Sequence, residues 1–135
     1  MNLHHKLSKK GQTLVEFAII IPLFLLIIMF IFDIGRAVYY FSVLYNAVRE
    51  GARVASVGET NINTLQSLVR ERAYGMDLPL GAITITPNPI ISTSQLVTVR
   101  AVYGFTPITP LVARFLPGGT LNVRAESSMR LEFAP

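Results

Sequence analysis

The chain has 135 residues, about half of them apolar, a formal net charge of +4 and no cysteine. That length accommodates one small domain plus a single additional element, and the missing cysteines exclude disulfides, thiolate metal sites and cysteine nucleophiles without excluding an extracytoplasmic location. Of the 12 basic residues, Lys6, Lys9 and Lys10 precede Gly11, which leaves nine arginines against 8 acids; no basic stripe with interleaved aromatics appears, so nucleic acid is not an expected partner.

The basic leader also holds both histidines, His4 and His5. With none beyond it and no cysteine, metal sites and catalytic triads lack their usual residues. Ser127 and Ser128 lie in a strand-like stretch with no histidine to serve them. The sequence therefore predicts no enzyme, no catalytic, cofactor or metal-binding residue, and no small-molecule substrate.

From Phe17 to Phe32 every residue is apolar. With Leu14 and Val15 the run approaches ~20 residues, the span of a bilayer's hydrocarbon core. Lysines on its N-terminal side predict that this end faces the cytoplasm, and Tyr39 and Tyr40 fall near the outer interface. A cleavable signal peptide needs small residues in an A-x-A-like pattern after the run, and "FDIGRAVYY" offers none. Proline-free helical spacing continues from Asp33 to about Val57, which predicts one helix from Thr13 to about Val57, roughly 65–70 Å long. Pro22 lacks an N–H and crowds the preceding turn, so a kink or local melting is expected there.

Glu16 is the acid to explain, because it lies at the start of the apolar run. Thr13-x-x-Glu16 fits a capping box with Thr13 as N-cap, and the helix dipole favours a negative charge there. Farther on, Asp33 with Arg36 and Glu50 with Arg53 are spaced as local pairs, adequately read as solvated helix charges. Ala47, Gly51 and Ala55 form a narrow small-residue stripe. It either admits the backbone of another chain or seats the head on its own helix.

After "SVGET", Ile62, Leu65, Leu68, Val69 and Ala73 predict a second helix, capped by Thr60 or Asn61 and ending near Gly75. Alternation over Ala82–Thr86, Leu96–Phe105 and Leu121–Phe133 predicts three half-buried strands. The last strand places Leu121, Val123, Ala125, Met129, Leu131 and Phe133 opposite Asn122, Arg124, Glu126, Arg130 and Glu132. The fold class is accordingly α+β: a long N-terminal transmembrane helix, then a small head with a second helix and a three-stranded antiparallel sheet. Between the last two strands, Leu111, Val112, Phe115 and Leu116 suit a short amphipathic turn. It packs over the sheet edge, the favoured reading, or stands exposed as a contact for a neighbour.

Lysines, Gly11, then "QTLVEF" and an apolar helix resemble a type IV prepilin leader. "GQTLVEFAIIIPLFLLIIMFIFDIGRAVYY" followed by "NAVREGARVAS" resembles the TadE-like pilins and pseudopilins of the tight-adherence (Flp) pilus system, as do "YGFTPITPLVARFLPGG" and the closing "MRLE". The resemblance implies cleavage by a prepilin peptidase between Gly11 and Gln12, which makes Glu16 the fifth residue of the mature chain. Gln12 stands where type IVa pilins commonly carry phenylalanine. The new ammonium of Gln12 would then pair with Glu16 of the same or a neighbouring subunit, setting axial register and offsetting the cost of burying the acid. The implied organisation is a leader at 1–11, a span at 12–34, an amphipathic continuation at 35–58 and an extracytoplasmic head at 59–135. The implied partners are membrane lipid, prepilin peptidase, an inner-membrane assembly platform, and copies of the chain or other pilins. The expected role is a structural minor pilin or pseudopilin, anchored in the bacterial cytoplasmic membrane and carried to a surface pilus. A major subunit and a permanently anchored protein-binding module are the alternatives.

Overall fold

A computed structural model describes residues 4–90 and 96–132, with side chains described from Gly11 onward among the first residues. Helix α1 (His4–Ser56) leads into helix α2 (Ile62–Arg72), strands β1 (Ile83–Thr86) and β2 (Leu96–Phe105), a short helix α3 (Pro110–Phe115) and strand β3 (Leu121–Arg130). The expected long helix, second helix and three-stranded antiparallel sheet are all present. The side chains of His4, His5, Lys6, Lys9 and Lys10, together with Phe133, lie outside the described residues.

α1 has 53 residues, about 80 Å at 1.5 Å per residue. It begins earlier than the Thr13 start that the capping pattern suggests. The upstream residues contain no proline, and Gly11 inside a helix costs only about 1 kcal/mol, so nothing local halts the helix at Thr13. Pro22 lies within α1 without interrupting it. The expected melting is not seen; Pro22 merely deprives the Ala18 carbonyl of its usual donor.

Beyond Tyr40, α1 becomes one wall of a core. Leu44, Ala47, Val48, Ala52 and Ala55 are buried against α2 and the inner sheet face. α2 contributes Leu65 and Val69, and the strands contribute Ile83, Ile85, Val97, Val99, Ala101, Phe105, Val123 and Ala125. Burial of each such Val, Leu or Ile side chain stabilises the fold by roughly 1.5–3 kcal/mol. Asn61 rather than Thr60 caps α2, its Oδ1 accepting from the N–H groups of Asn63 (3.0 Å) and Thr64 (3.4 Å).

The sheet order is β1-β2-β3, with Ile83 opposite Ala101 and Arg100 opposite Glu126. This register puts the alternating apolar residues on one face, as the sequence pattern requires. On the outer face the Arg100 Nε donates to Glu126 at 2.8 Å, and the Thr98 and Ser128 hydroxyls are 2.8 Å apart. β3 stops at Arg130 rather than continuing toward Phe133. The Glu132 N–H instead donates to the Ser56 carbonyl at 2.9 Å, satisfying one of the open acceptors at the end of α1. At the opposite sheet edge, Gln66 Nε2 donates to the Ile83 carbonyl at 2.9 Å and ties α2 to β1.

Gly51 is a point of close approach between α1 and the rest of the head. A Cβ added there would lie 2.5 Å from Cγ2 of Val69, with Val99 Cγ1 at 3.6 Å. Val69 is fully buried and β-branched, hence stiff at χ1. Gly51→Ala gains about 1 kcal/mol of helix propensity but introduces overpacking of about 1–3 kcal/mol. A lower melting temperature is expected in thermal unfolding, and Gly51→Ala combined with Val69→Ala should remove the overpacking component. A melting temperature raised by Gly51→Ala alone would contradict this account of the contact.

Candidate functional site

The candidate assembly residues lie along α1. All residues from Gly11 to Leu25 are exposed, including Gln12, Glu16 and Pro22. From Leu14 to Ile21, about two turns, the side chains are apolar apart from Glu16 and stand exposed around the helix. Gln12 Nε2 donates to Glu16 Oε1 at 3.2 Å across one helical turn. Because α1 already runs through this stretch, Thr13 is an interior helical residue and not an N-cap. The capping-box reading is therefore replaced by a side-chain pair between Gln12 and Glu16. Gly11, where the leader would end, is also exposed and has open space around its Cα.

The small-residue stripe is placed differently. Ala47, Gly51 and Ala55 are buried under α2 and β2 of their own chain. The stripe brings the head's backbone and branched side chains close to α1, and this face is already occupied within the chain. Glu50 and Arg53, beside the stripe, form a two-pronged pair at 2.9 and 2.8 Å. The hydrogen bonds and charge of Arg53 hold the Glu50 carboxyl below its ordinary value, as expected for a charge-assisted pair.

Asp33 overturns its reading as a solvated helix charge. It is only 3% exposed. One carboxylate oxygen accepts the Ile108 N–H at 2.8 Å and the other accepts the Thr109 N–H at 2.9 Å. Arg36 Nη1 approaches Oδ1 at 3.5 Å. The Arg36 guanidinium carbon lies 5.2 Å from the Phe105 ring centroid and 5.8 Å from that of Tyr40. Tyr40 in turn meets Tyr103 and Phe105 with centroids 5.4 and 5.8 Å apart. This cluster clasps the segment after β2 onto α1 where the uninterrupted apolar run ends. The available sequence signal was a lone acid directly after that run, with a proline-rich segment far downstream whose free N–H groups needed an acceptor.

The clasp determines where α3 goes. α3 packs beside α1, not over the sheet edge: Thr109, Leu111 and Val112 share a shallow cleft of about 230 Å³ with Leu23, Leu26, Ile27 and Phe30. Much of its apolar surface is uncovered, with Leu111 50% and Phe115 82% exposed. Among the described residues no cluster of His, Cys, Asp and Glu has the makings of a metal site.

α1 is long and apolar enough to cross a membrane, judged by length and composition. Residues 11–53 match the family described as TadE-like protein. That stretch of the chain is TadE-like. The match covers the exposed apolar half of α1 and nearly all of the half that enters the head core, including Glu16, Asp33 and Gly51. No curated protein and no solved structure matches the chain. A TadE-like chain with an N-terminal apolar helix is consistent with a pilin-like protein of the tight-adherence system.

Asp33→Ala removes the acceptor of two backbone N–H groups, each costing about 1–3 kcal/mol if left buried and unpaired. The expected result in detergent or nanodiscs is much faster hydrogen exchange at the Ile108 and Thr109 amides, with Val99 and Ala101 in the sheet far less affected. Asp33→Asn, which keeps one acceptor oxygen, should fall between the two. Unchanged exchange at both amides would refute the clasp.

Proposed function

We propose that this TadE-like protein is a structural pilin-like subunit, a minor pilin or pseudopilin, of a tight-adherence pilus. The observation that carries the proposal is the division of labour along α1. From Phe17 to Phe32 it is apolar on all sides and largely exposed, while its C-terminal half is built into the head. Such a helix is stable in lipid, and it is equally suited to a filament core in which copies of the same apolar surface replace acyl chains. A rigid connection between the two halves would move the head with the helix as it leaves the membrane.

In this reading the span occupies residues 12–34, with the leader cytoplasmic and the head outside. Prepilin peptidase cuts between Gly11 and Gln12, and an inner-membrane platform transfers the processed chain into a filament of copies or other pilins. The exposure of Gly11 through Glu16 supports access for a peptidase once the helix locally opens. Glu16 belongs to the assembly step. Before cleavage its carboxylate has the Gln12 amide as a neutral partner; afterwards it gains an ammonium group within one turn, or that of the adjacent subunit. An unpaired carboxylate in an apolar filament core is costly, by several kcal/mol, unless such a partner is present. That cost would make one axial register far better than its neighbours.

Intact mass of the protein from native membranes and from sheared filaments tests the scheme. A chain beginning at Gln12 is expected in both. A chain beginning at Met1 and confined to membranes would favour the permanently anchored binding module, and abundance far above that of other filament subunits would favour a major pilin. Glu16→Gln keeps the side chain's shape and removes its charge. It should leave the membrane level and processing intact while sharply reducing filament incorporation; undiminished incorporation would refute the role given to Glu16.

A further inference from the structure

We infer that α3 is a second membrane-contacting element, seated in the outer half of the bilayer beside α1, with lipid acyl chains covering Ile108, Leu111 and Phe115. The inference rests on the proposed reading that α1 spans the membrane with the head outside. Its geometric basis is the level at which α3 packs. Leu111 and Val112 face α1 across a cleft lined by Leu23, Leu26, Ile27 and Phe30, below Asp33 and well inside the apolar run. At 1.5 Å per residue those contacts lie roughly 5–15 Å from Asp33 toward the leader. A hydrocarbon core is about 30 Å thick, so a span reaching residue 34 puts α3 within its outer half.

The surface chemistry agrees with that depth. Ile108, Leu111 and Phe115 are 61%, 50% and 82% exposed, a set of large apolar side chains that water would cover at a cost of roughly 25 cal/mol per Å². They adjoin the equally bare side chains of Leu23, Ile27 and Phe30 on α1, so the patch is a lateral extension of the span. The neighbouring cation, Arg114, is exposed and has an alkyl stem long enough to carry its guanidinium toward the headgroups.

Irregular backbone at membrane depth is tolerated only where its polar groups are satisfied, and most of this segment's backbone donors are accounted for, although the buried Thr109 hydroxyl has no hydrogen-bond partner. Pro107, Pro110 and Pro117 carry no N–H. The N–H groups of Ile108 and Thr109 go to Asp33. Those of Ala113, Leu116 and Gly119 go to the carbonyls of Thr109, Ala113 and Leu116. Asp33 thus has a specific task at the membrane boundary: it neutralises two donors of a loop that turns down into the lipid, and Arg36 offsets its charge.

The chain contains no tryptophan, so single replacements report depth directly. Full-length Phe115→Trp, Leu111→Trp, Phe24→Trp and Tyr74→Trp are reconstituted separately into phosphatidylcholine vesicles, with and without brominated acyl chains. Phe24 lies in the span and Tyr74 is an exposed head residue. Bromolipid is expected to quench Phe115→Trp and Leu111→Trp to an extent comparable with Phe24→Trp, leaving Tyr74→Trp unquenched. Quenching of Phe24→Trp alone would overturn the α3 inference while leaving the span in place. Quenching at none of these sites would remove the span itself. Blue-shifted, unquenched emission from Phe115→Trp that reverts on raising the lipid-to-protein ratio would assign the patch to a second copy of the chain and overturn lipid as its occupant. Phe115 is almost fully exposed, so its replacement does not put folding at risk.

Discussion

One face of α1 organises the head. Leu44, Val48, Ala52 and Ala55 supply an apolar wall against which α2 and the sheet are laid, and Gly51 allows Val69 to come closer than any Cβ would permit. A head of this size without disulfides has little apolar surface to bury on its own. Taking one wall of its core from the long helix eases that shortage. It also makes the stalk and the head mechanically continuous, because nothing resembling a linker separates them.

The second half of the design is the change of environment along the same helix. Up to Leu25 every described side chain of α1 is exposed, whereas by Leu44 the inward positions have no exposure at all. Asp33, Arg36, Tyr40 and Phe105 occupy the boundary. The ionised and aromatic groups there are matched to one another, and the carboxylate reaches across to the backbone of a segment some 75 positions later. A buried carboxylate is costly unless its lone pairs are used, and here both oxygens accept N–H groups. The boundary between the exposed apolar helix and the folded head is therefore a defined structural joint, which would suit the proposed subunit, whose helix and head travel together.

The comparison with the TadE-like family and the shape of the chain point the same way from independent grounds. The family match ends at residue 53, yet the helix it covers is completed only by the head that follows. Residues facing outward before Leu44 are available for lipid or for other helices, while those facing inward after it are committed. In the proposed role, assembly contacts belong to the first half of α1, around Glu16, because the small-residue stripe at Ala47, Gly51 and Ala55 is already buried within the chain.

Local pattern was sufficient for most of the architecture. Sixteen consecutive apolar residues from Phe17 to Phe32, the helical spacing of Leu65 and Val69, and the predominant alternation in β2 and β3 each determine an element, because helix and strand periods are properties of the chain itself. The position of Glu16 after Gly11 is likewise a matter of sequence alone. What pattern cannot decide is which distant groups become partners. Asp33 has the spacing of an ordinary surface pair with Arg36, and only folding brings the Ile108 and Thr109 amides to it. The stripe at Ala47, Gly51 and Ala55 is as suitable for a foreign helix as for its own head until α2 arrives on it. α3 was legible as a short apolar turn, but its level beside Leu23–Phe30 follows from the clasp and from the point at which β2 leaves the sheet. Periodicity is local and is read from neighbours; burial and pairing arise between residues far apart in the chain, and tertiary structure alone decides them.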